Sequence, residues 1–249
     1  MVLVTGANGI LGYNICLNLL KIGANLCVIC RSEEKTNNLI SDLTKKYSNS
    51  KIMGFSLDFA NINHVKDFFN DFKIKIDYCV LNAATSVGNY DYMYKINTLA
   101  PIVIYENLKN LNVKFCYVCS ISYKKKNIYK DDYAYTKWQT MNYFYFNDQA
   151  NLINFAHPGL VMSKLFLQRR KHKSLMRLVG LFLPKAKINS FTIIKALIME
   201  SNKRYIITPN FFELYGRGQK RKLNKKYFKE EKYDRNWYSR GPSKGWYSN

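Results

Sequence analysis

An α/β fold, with one parallel sheet wound on both faces by helices, is predicted by three features of the sequence. Short apolar runs alternate with helix-like stretches along roughly the first 210 residues. The runs are continuously apolar instead of alternating with polar residues, the pattern of strands buried on both faces. The first run leads at once into a glycine-rich turn that opens a helix.

Taken in order, Val2-Leu3-Val4 makes the first strand, and a helix follows the glycine turn through about Ile22. Asn25 to Cys30 forms the second strand, residues 33–47 a helix, Lys51 to Leu57 the third strand and residues 62–72 a helix. Tyr78 to Leu81 is a short fourth strand, 95–110 a long helix, Lys114 to Cys119 the fifth strand and 132–149 another helix. Leu152 to Ala156 is a sixth strand, 188–201 is helical, and Arg204 to Thr208 is the last strand. Right-handed crossovers arrange such an order as a doubly wound, Rossmann-type sheet.

Of the 249 residues 47% are hydrophobic and 22% charged, which suits one globular domain with a large core. Met1 to Thr5 enters a strand directly, without a basic leader, and no run is long and apolar enough to span a membrane, so a cytoplasmic location is expected. The six cysteines lie in apolar runs without a metal-type array, which reads as buried free thiols in a reducing compartment. His64, His157 and His172 are far apart without ligand spacing, so no metal is expected. The net charge of +22 is uneven: residues 1–163 hold 17 basic and 12 acidic side chains, residues 164–249 hold 22 and 5. The excess belongs to the C-terminal third and attracts anions.

Thr5-Gly6-Ala7-Asn8-Gly9-Ile10-Leu11-Gly12 joins the first strand to the first helix. Its glycines allow a tight turn and close approach of backbone to a pyrophosphate, and the helix N-terminus supplies N–H groups and a positive dipole end. The second strand ends in Cys30-Arg31-Ser32, where an acidic residue would favour a bare ribose. A guanidinium and a hydroxyl suit a 2′-phosphate, so NADP is preferred over NAD, although Glu33 and Glu34 follow. Asp58, after the third strand, is placed to meet an adenine or to cap a helix.

Tyr133 precedes Lys137 by four residues on a predicted helix, so both leave one face. A phenol has a pKa near ~10, and a neighbouring ammonium stabilises its phenolate and draws the pKa toward the working range. Tyr135 lies two residues from Lys137 and points to another side.

Together these motifs resemble a short-chain dehydrogenase/reductase over residues 1 to about 210. The resemblance rests on the glycine turn, Asp58, Asn82-Ala83-Ala84 after the fourth strand, Asn97 in Ile96-Asn97-Thr98, Ser120 closing the fifth strand, Tyr133 with Lys137, and His157-Pro158-Gly159-Leu160-Val161-Met162-Ser163. Ser120 stands 13 residues before Tyr133, a spacing typical of that family. The resemblance implies that Tyr133 is the general acid or base, that Lys137 lowers its pKa and holds the nicotinamide ribose, and that Ser120 bonds the substrate oxygen. It implies that Asn97 anchors a water relay to Lys137, and that Asn82, Ala83 and Ala84 border the adenine-side ribose. Pro158, Gly159, Val161 and Ser163 would wall the nicotinamide. The Gly-x-x-Gly-x-x-Gly spacing is similar to longer, epimerase-like members, and the His-Pro-Gly segment is similar to short members related to retinol dehydrogenases. Family members commonly dimerise through helices that include the counterpart of residues 133–147.

The expected domain is 1–210, with a substrate-covering segment at 164–187 and a basic, partly disordered extension at 211–249. Leu165, Phe166, Leu167, Leu175, Met176 and Leu178 line a lipophilic pocket in one reading. In another they dip into a membrane surface beside Arg169, Arg170, Lys171, Lys173 and Arg177, and in a third they are core beneath a solvated basic face. No recognition motif supports nucleic-acid binding by the tail. Two functions stay open: an NAD(P)-dependent oxidoreductase interconverting a carbonyl and an alcohol on an apolar substrate, or a non-catalytic nucleotide-binding scaffold docked to anionic membranes. A sugar-nucleotide epimerase or reductase is a lesser third.

Overall fold

The computed structural model describes residues 1–120, 128–159, 186–200, 205–208, 219–225 and 228. Val161, Ser163, the segment 164–184 and most of the basic tail lie outside the described residues.

The elements are β1 (Val2–Thr5), α1 (Ile10–Lys21), β2 (Leu26–Cys30), α2 (Glu33–Lys46), β3 (Ile52–Ser56), α3 (Ile62–Asn70), β4 (Tyr78–Leu81), α4 (Tyr90–Tyr94), α5 (Ala100–Leu108), β5 (Lys114–Val118), α6 (Asp132–Asn147), β6 (Ile153–Ala156), α7 (Ala186–Ile198), β7 (Tyr205–Thr208) and β8 (Gln219–Lys222). The strands form one sheet in the order β3-β2-β1-β4-β5-β6-β7-β8. The first seven run parallel, with Leu3 of β1 paired to Cys27 on one side and to Cys79 on the other. The order reverses between β1 and β4, the point at which doubly wound sheets open a crevice beyond the strand ends.

Alternation along the strands divides the core. Leu3, Cys27, Ile29, Cys79 and Phe115 face α3, α5 and α6, where they meet Phe69, Ile102, Met141 and Phe144. Val2, Val4, Val28, Val80 and Cys116 face α1, α2 and α7, meeting Ile15, Leu19, Leu43 and Ile193. All six cysteines are buried free thiols. Burial pushes the Cys27 thiol up to about 12.

Two stretches differ from expectation. The helix predicted from 95 starts at Tyr90, because Asn89 caps it by accepting a hydrogen bond from the Tyr92 amide at 2.9 Å. It then widens into a π-helical turn over Lys95–Leu99 before α5 continues. Beyond the expected boundary at 210, β8 pairs antiparallel with β7, so the sheet is parallel except at this edge. Leu223 and Phe228, farther on, are buried in the same core as α5 and α6. Phe228 stacks on Tyr145 of α6 with ring centroids 4.5 Å apart. Among the α6 aromatics, Tyr143 and Phe144 are buried by the chain itself, and Tyr145 is engaged by Phe228.

Candidate functional site

Because the strands are parallel, the segments following β1, β4, β5 and β6 all emerge at one edge of the sheet. These are the segments that carry the expected site residues.

The turn after β1 is fixed by steric exclusion and by two polar anchors. Gly6 has φ +62°, and a Cβ there would lie 2.8 Å from the Ala83 Cα. At Gly12 a Cβ would lie 2.3 Å from the Gly6 carbonyl oxygen and 2.9 Å from the Ala7 Cα. Gly9 differs, since its added Cβ would meet nothing nearer than the Gly6 oxygen at 3.4 Å. The fold thus needs glycine at 6 and 12, whereas a Cβ at Gly9 would make only ordinary van der Waals contact. Thr5 Oγ1 accepts from the Asn82 and Ala83 amides at 3.0 and 3.1 Å. Asn82 Nδ2 donates to the carbonyls of Thr5 and Gly6 at 3.1 and 3.2 Å. Thr5 and Asn82 therefore tie the β1 and β4 ends together and leave Asn8, Gly9 and Ile10 exposed at the rim. No side chain caps the start of α1, so its first amides face the crevice.

At the end of β2, Arg31 is exposed and donates from Nη1 to the Tyr92 phenolic oxygen at 3.1 Å. Ser32 stands at the N-cap of α2 without spending its hydroxyl on the cap. Asp58 is exposed and accepts from the Ala60 amide at 3.0 Å, a local turn bond, while Asn61 caps α3 through the His64 amide.

On the far side of the crevice the site is built from side chains. Lys137 lies in the second turn of α6, 3% exposed, with its Nζ 4.1 Å from the centroid of the Tyr117 ring. Loss of hydration lowers its pKa to about 7, and the nearby Cys119 thiol opposes this only in part. The Tyr117 ring offers the ammonium a π face in the apolar pocket. Burial pushes Cys119 up to about 12, and its thiol donates to the Ala156 carbonyl at 3.3 Å. Tyr133 and Ser120 are half-buried at the start of α6 and the end of β5. Asp131 caps α6 by accepting from the Ala134 amide at 3.0 Å, fixing the turn that carries Tyr133. Tyr135 is buried in a stack between Tyr90 and Trp138, with centroids 5.9 and 5.7 Å away.

Asn97 lies in the π-helical turn and is buried. Its side chain accepts from the Thr85 amide at 2.8 Å and donates to the Thr85 carbonyl at 2.8 Å and to Thr136 Oγ1 at 3.0 Å. Its own carbonyl accepts from Thr140 Oγ1 at 2.6 Å, and Thr98 Oγ1 donates to the Thr136 carbonyl at 2.9 Å. The π turn and α6 are thereby joined around Lys137. Sequence reasoning missed Thr136, Thr140 and Tyr117. Thr136 and Thr140 sit four apart on the Tyr133 helix, a spacing that could have marked them; nothing in the sequence singles out Tyr117. After β6, Pro158 is buried and Gly159 turns the chain with φ +79°.

Residues 1–120 match the family model for short chain dehydrogenases. Dehydrogenase/reductase SDR family member 13 of Bos taurus is 24% identical over 197 residues, covering 66% of this chain and 52% of that protein. Retinol dehydrogenase 13 of Mus musculus is 26% identical over 113 residues, covering 41% and 34%. The chain spans about half the length of the first of these relatives. Among solved structures, levodione reductase superposes with a TM-score of 0.71 at 13% identity, over 86% of this chain and 96% of that one. The L-sorbose reductase of Gluconobacter frateurii, complexed with NADPH and L-sorbose, gives 0.67 at 14% identity over 87% and 95%. Such identities speak for the fold alone. Over its first 120 residues the chain is similar to short chain dehydrogenases, and its fold is the one those reductases share.

Proposed function

We propose that this chain is an NADP-preferring oxidoreductase that interconverts a carbonyl and an alcohol. The observation that carries the reading is Lys137, an ammonium buried on a π face one helical turn from Tyr133 and close to the β5 end. A buried cation is costly and is kept where its field has a use. The open rim at Gly9, the uncapped α1 amides and Arg31 fit a phosphorylated dinucleotide. That cofactor supplies the hydride when bound.

The chain's own residues do the rest. In reduction Tyr133 donates its phenolic proton to the carbonyl oxygen, and in oxidation its phenolate takes the proton from the alcohol. Ser120 hydrogen-bonds the same oxygen and stabilises the charge that builds there. Lys137 favours the phenolate electrostatically and supports the nicotinamide ribose. The Asn97 carbonyl, which has a second lone pair beyond the one given to Thr140, anchors the proton route behind Lys137. Asn82, Ala83 and Ala84 border the adenine-side ribose, with Asp58 beside the adenine. Pro158, Gly159, Val161 and Ser163 flank the nicotinamide. The leucine-rich composition of 164–184 and the likeness to a retinol dehydrogenase support an apolar substrate met at or near a membrane surface. Among the described residues no helix is long and apolar enough to cross one.

The test is NADPH and NADH oxidation with a panel of aliphatic and aromatic aldehydes and ketones. Tyr133→Phe should lower turnover about 10²–10⁴-fold with cofactor affinity retained. Unchanged turnover in that variant would remove Tyr133 from the chemistry.

A further inference from the structure

We propose that Tyr92 determines cofactor choice, acting with Arg31 as a two-donor clasp for the 2′-phosphate; the proposal rests on the dinucleotide reading above. Arg31 follows β2 and Tyr92 belongs to α4 after β4, so their partners in the sheet lie on opposite sides of β1. The bond between them therefore bridges the two flanks of the strand whose end carries the glycine turn. It closes over the outer, adenosine end of the crevice.

Tyr92 is held for this task by its own neighbourhood. Its amide is fixed by Asn89 Oδ1 at 2.9 Å. Its ring lies against Gly88, where φ is +102° and a Cβ would come within 2.7 Å of the Tyr92 Cδ1. Gly88 thus lets the ring lie down and aim the phenol at Arg31.

The donor arithmetic then favours an anion. The phenolic oxygen accepts from Arg31 Nη1, so its own proton points elsewhere. A guanidinium has five N–H groups, of which this bond uses one. Ser32 adds a hydroxyl not spent on capping α2. Arg31, Tyr92 and Ser32 can converge on one phosphate monoester. The pair also answers the unfavourable Glu33 and Glu34 in the first turn of α2: the tie to Tyr92 draws the guanidinium toward α4, away from those carboxylates. A cofactor with a bare 2′-hydroxyl would use little of this arrangement.

Calorimetric titration of the full chain with NADPH, NADH, 2′-AMP and 5′-AMP tests the clasp. Tyr92→Phe keeps the ring against Gly88 and removes only the hydroxyl. It should weaken NADPH and 2′-AMP about tenfold while NADH and 5′-AMP change less than about twofold. Arg31→Ala should weaken NADPH further, and the double variant should lose less than the two single losses combined. Equal weakening of both dinucleotides, or unchanged NADPH affinity, overturns the proposal while leaving the oxidoreductase reading intact. A wild-type chain that binds neither dinucleotide overturns both, and turnover with NADH alone overturns only the clasp.

Discussion

At the end of β1 the chain meets the crevice with main chain, whereas around α6 it meets it with side chains. The first wall is defined by what is missing: no Cβ at Gly6 or Gly12, and no side-chain cap on α1. Its polar residues, Thr5 and Asn82, are spent on holding two strand ends together. The second wall is defined by what is buried: an ammonium, an asparagine and three threonine hydroxyls in one network. The two walls should therefore fail differently. A main-chain wall fails by steric overlap, at once and globally. A side-chain wall loses activity or pH response while the fold persists.

The largest effect should come from Gly12→Ala. Its Cβ would lie 2.3 Å from a carbonyl oxygen and 2.9 Å from a Cα, both backbone atoms that cannot swing away. A loss of about 3 kcal/mol or more is expected, lowering Tm by about 10 °C in thermal unfolding. Gly9→Ala provides the contrast, with Tm within about 2 °C of wild type and nucleotide affinity reduced about tenfold or more. If the two variants melt alike, the distinction between a fold glycine and a ligand glycine is lost.

Asn97→Ala comes next. It removes three side-chain hydrogen bonds and leaves the Thr85 amide and carbonyl short of partners. The cost is about 2 kcal/mol in denaturant unfolding, with reduced turnover because α6 loses its tie to the π turn. Turnover unaffected by a variant so destabilised would separate the network from the site.

Legibility in the sequence follows the same division. The glycine turn was readable because it is local: eight consecutive residues, a preceding apolar run and a following helix carry the whole signal. The seven parallel strands were readable because each is mostly apolar, with polar residues such as Thr5, Ser56, Lys114 and Thr208 at the strand ends. Lys137 with Tyr133 was readable as a one-turn spacing. β8 was not, since Gln219-Lys220-Arg221-Lys222 has no apolar residue and becomes a strand only through the free edge of β7. The start of α4 was hidden because its cap, Asn89, precedes a run of tyrosines instead of an amphipathic pattern. Tyr117 and Thr140 gain their meaning from partners 20 and 43 residues away, at Lys137 and Asn97, which no local pattern reports.

Lys137 gives an effect with a definite sign in pH. Its folded pKa of about 7 lies below the ordinary lysine value near ~10.4, so between those limits the unfolded chain binds more protons. Stability of the cofactor-free protein should rise with pH from about 7, by at most about 1.4 kcal/mol per pH unit. The buried thiols act oppositely, because burial raises Cys16, Cys27, Cys79, Cys116 and Cys119 while the unfolded thiols ionise near ~8.5. Five thiols outweigh one lysine once about a fifth of each unfolded thiol has ionised, so stability should pass a maximum near ~8 in denaturant titrations and fall above it. Lys137→Met should remove the rising limb, keep the falling one, and abolish turnover. A rising limb that survives the substitution would mean that another group produces it.

The smallest effect, Cys119→Ser, decides what sets the Lys137 pKa. The thiol is a neighbour of the ammonium and a donor to the Ala156 carbonyl at 3.3 Å. A serine hydroxyl can make the same bond, so the stability change should stay within about 1 kcal/mol. Loss of hydration is the larger cause of the lysine shift, and the thiol is the smaller, opposing one. With Cys119→Ser the rising limb between pH 7 and ~8 should therefore persist nearly unchanged. If that variant flattened the limb as fully as Lys137→Met, the shift would belong to the Cys119–Lys137 pair, and the apolar pocket around the Tyr117 ring would no longer explain it.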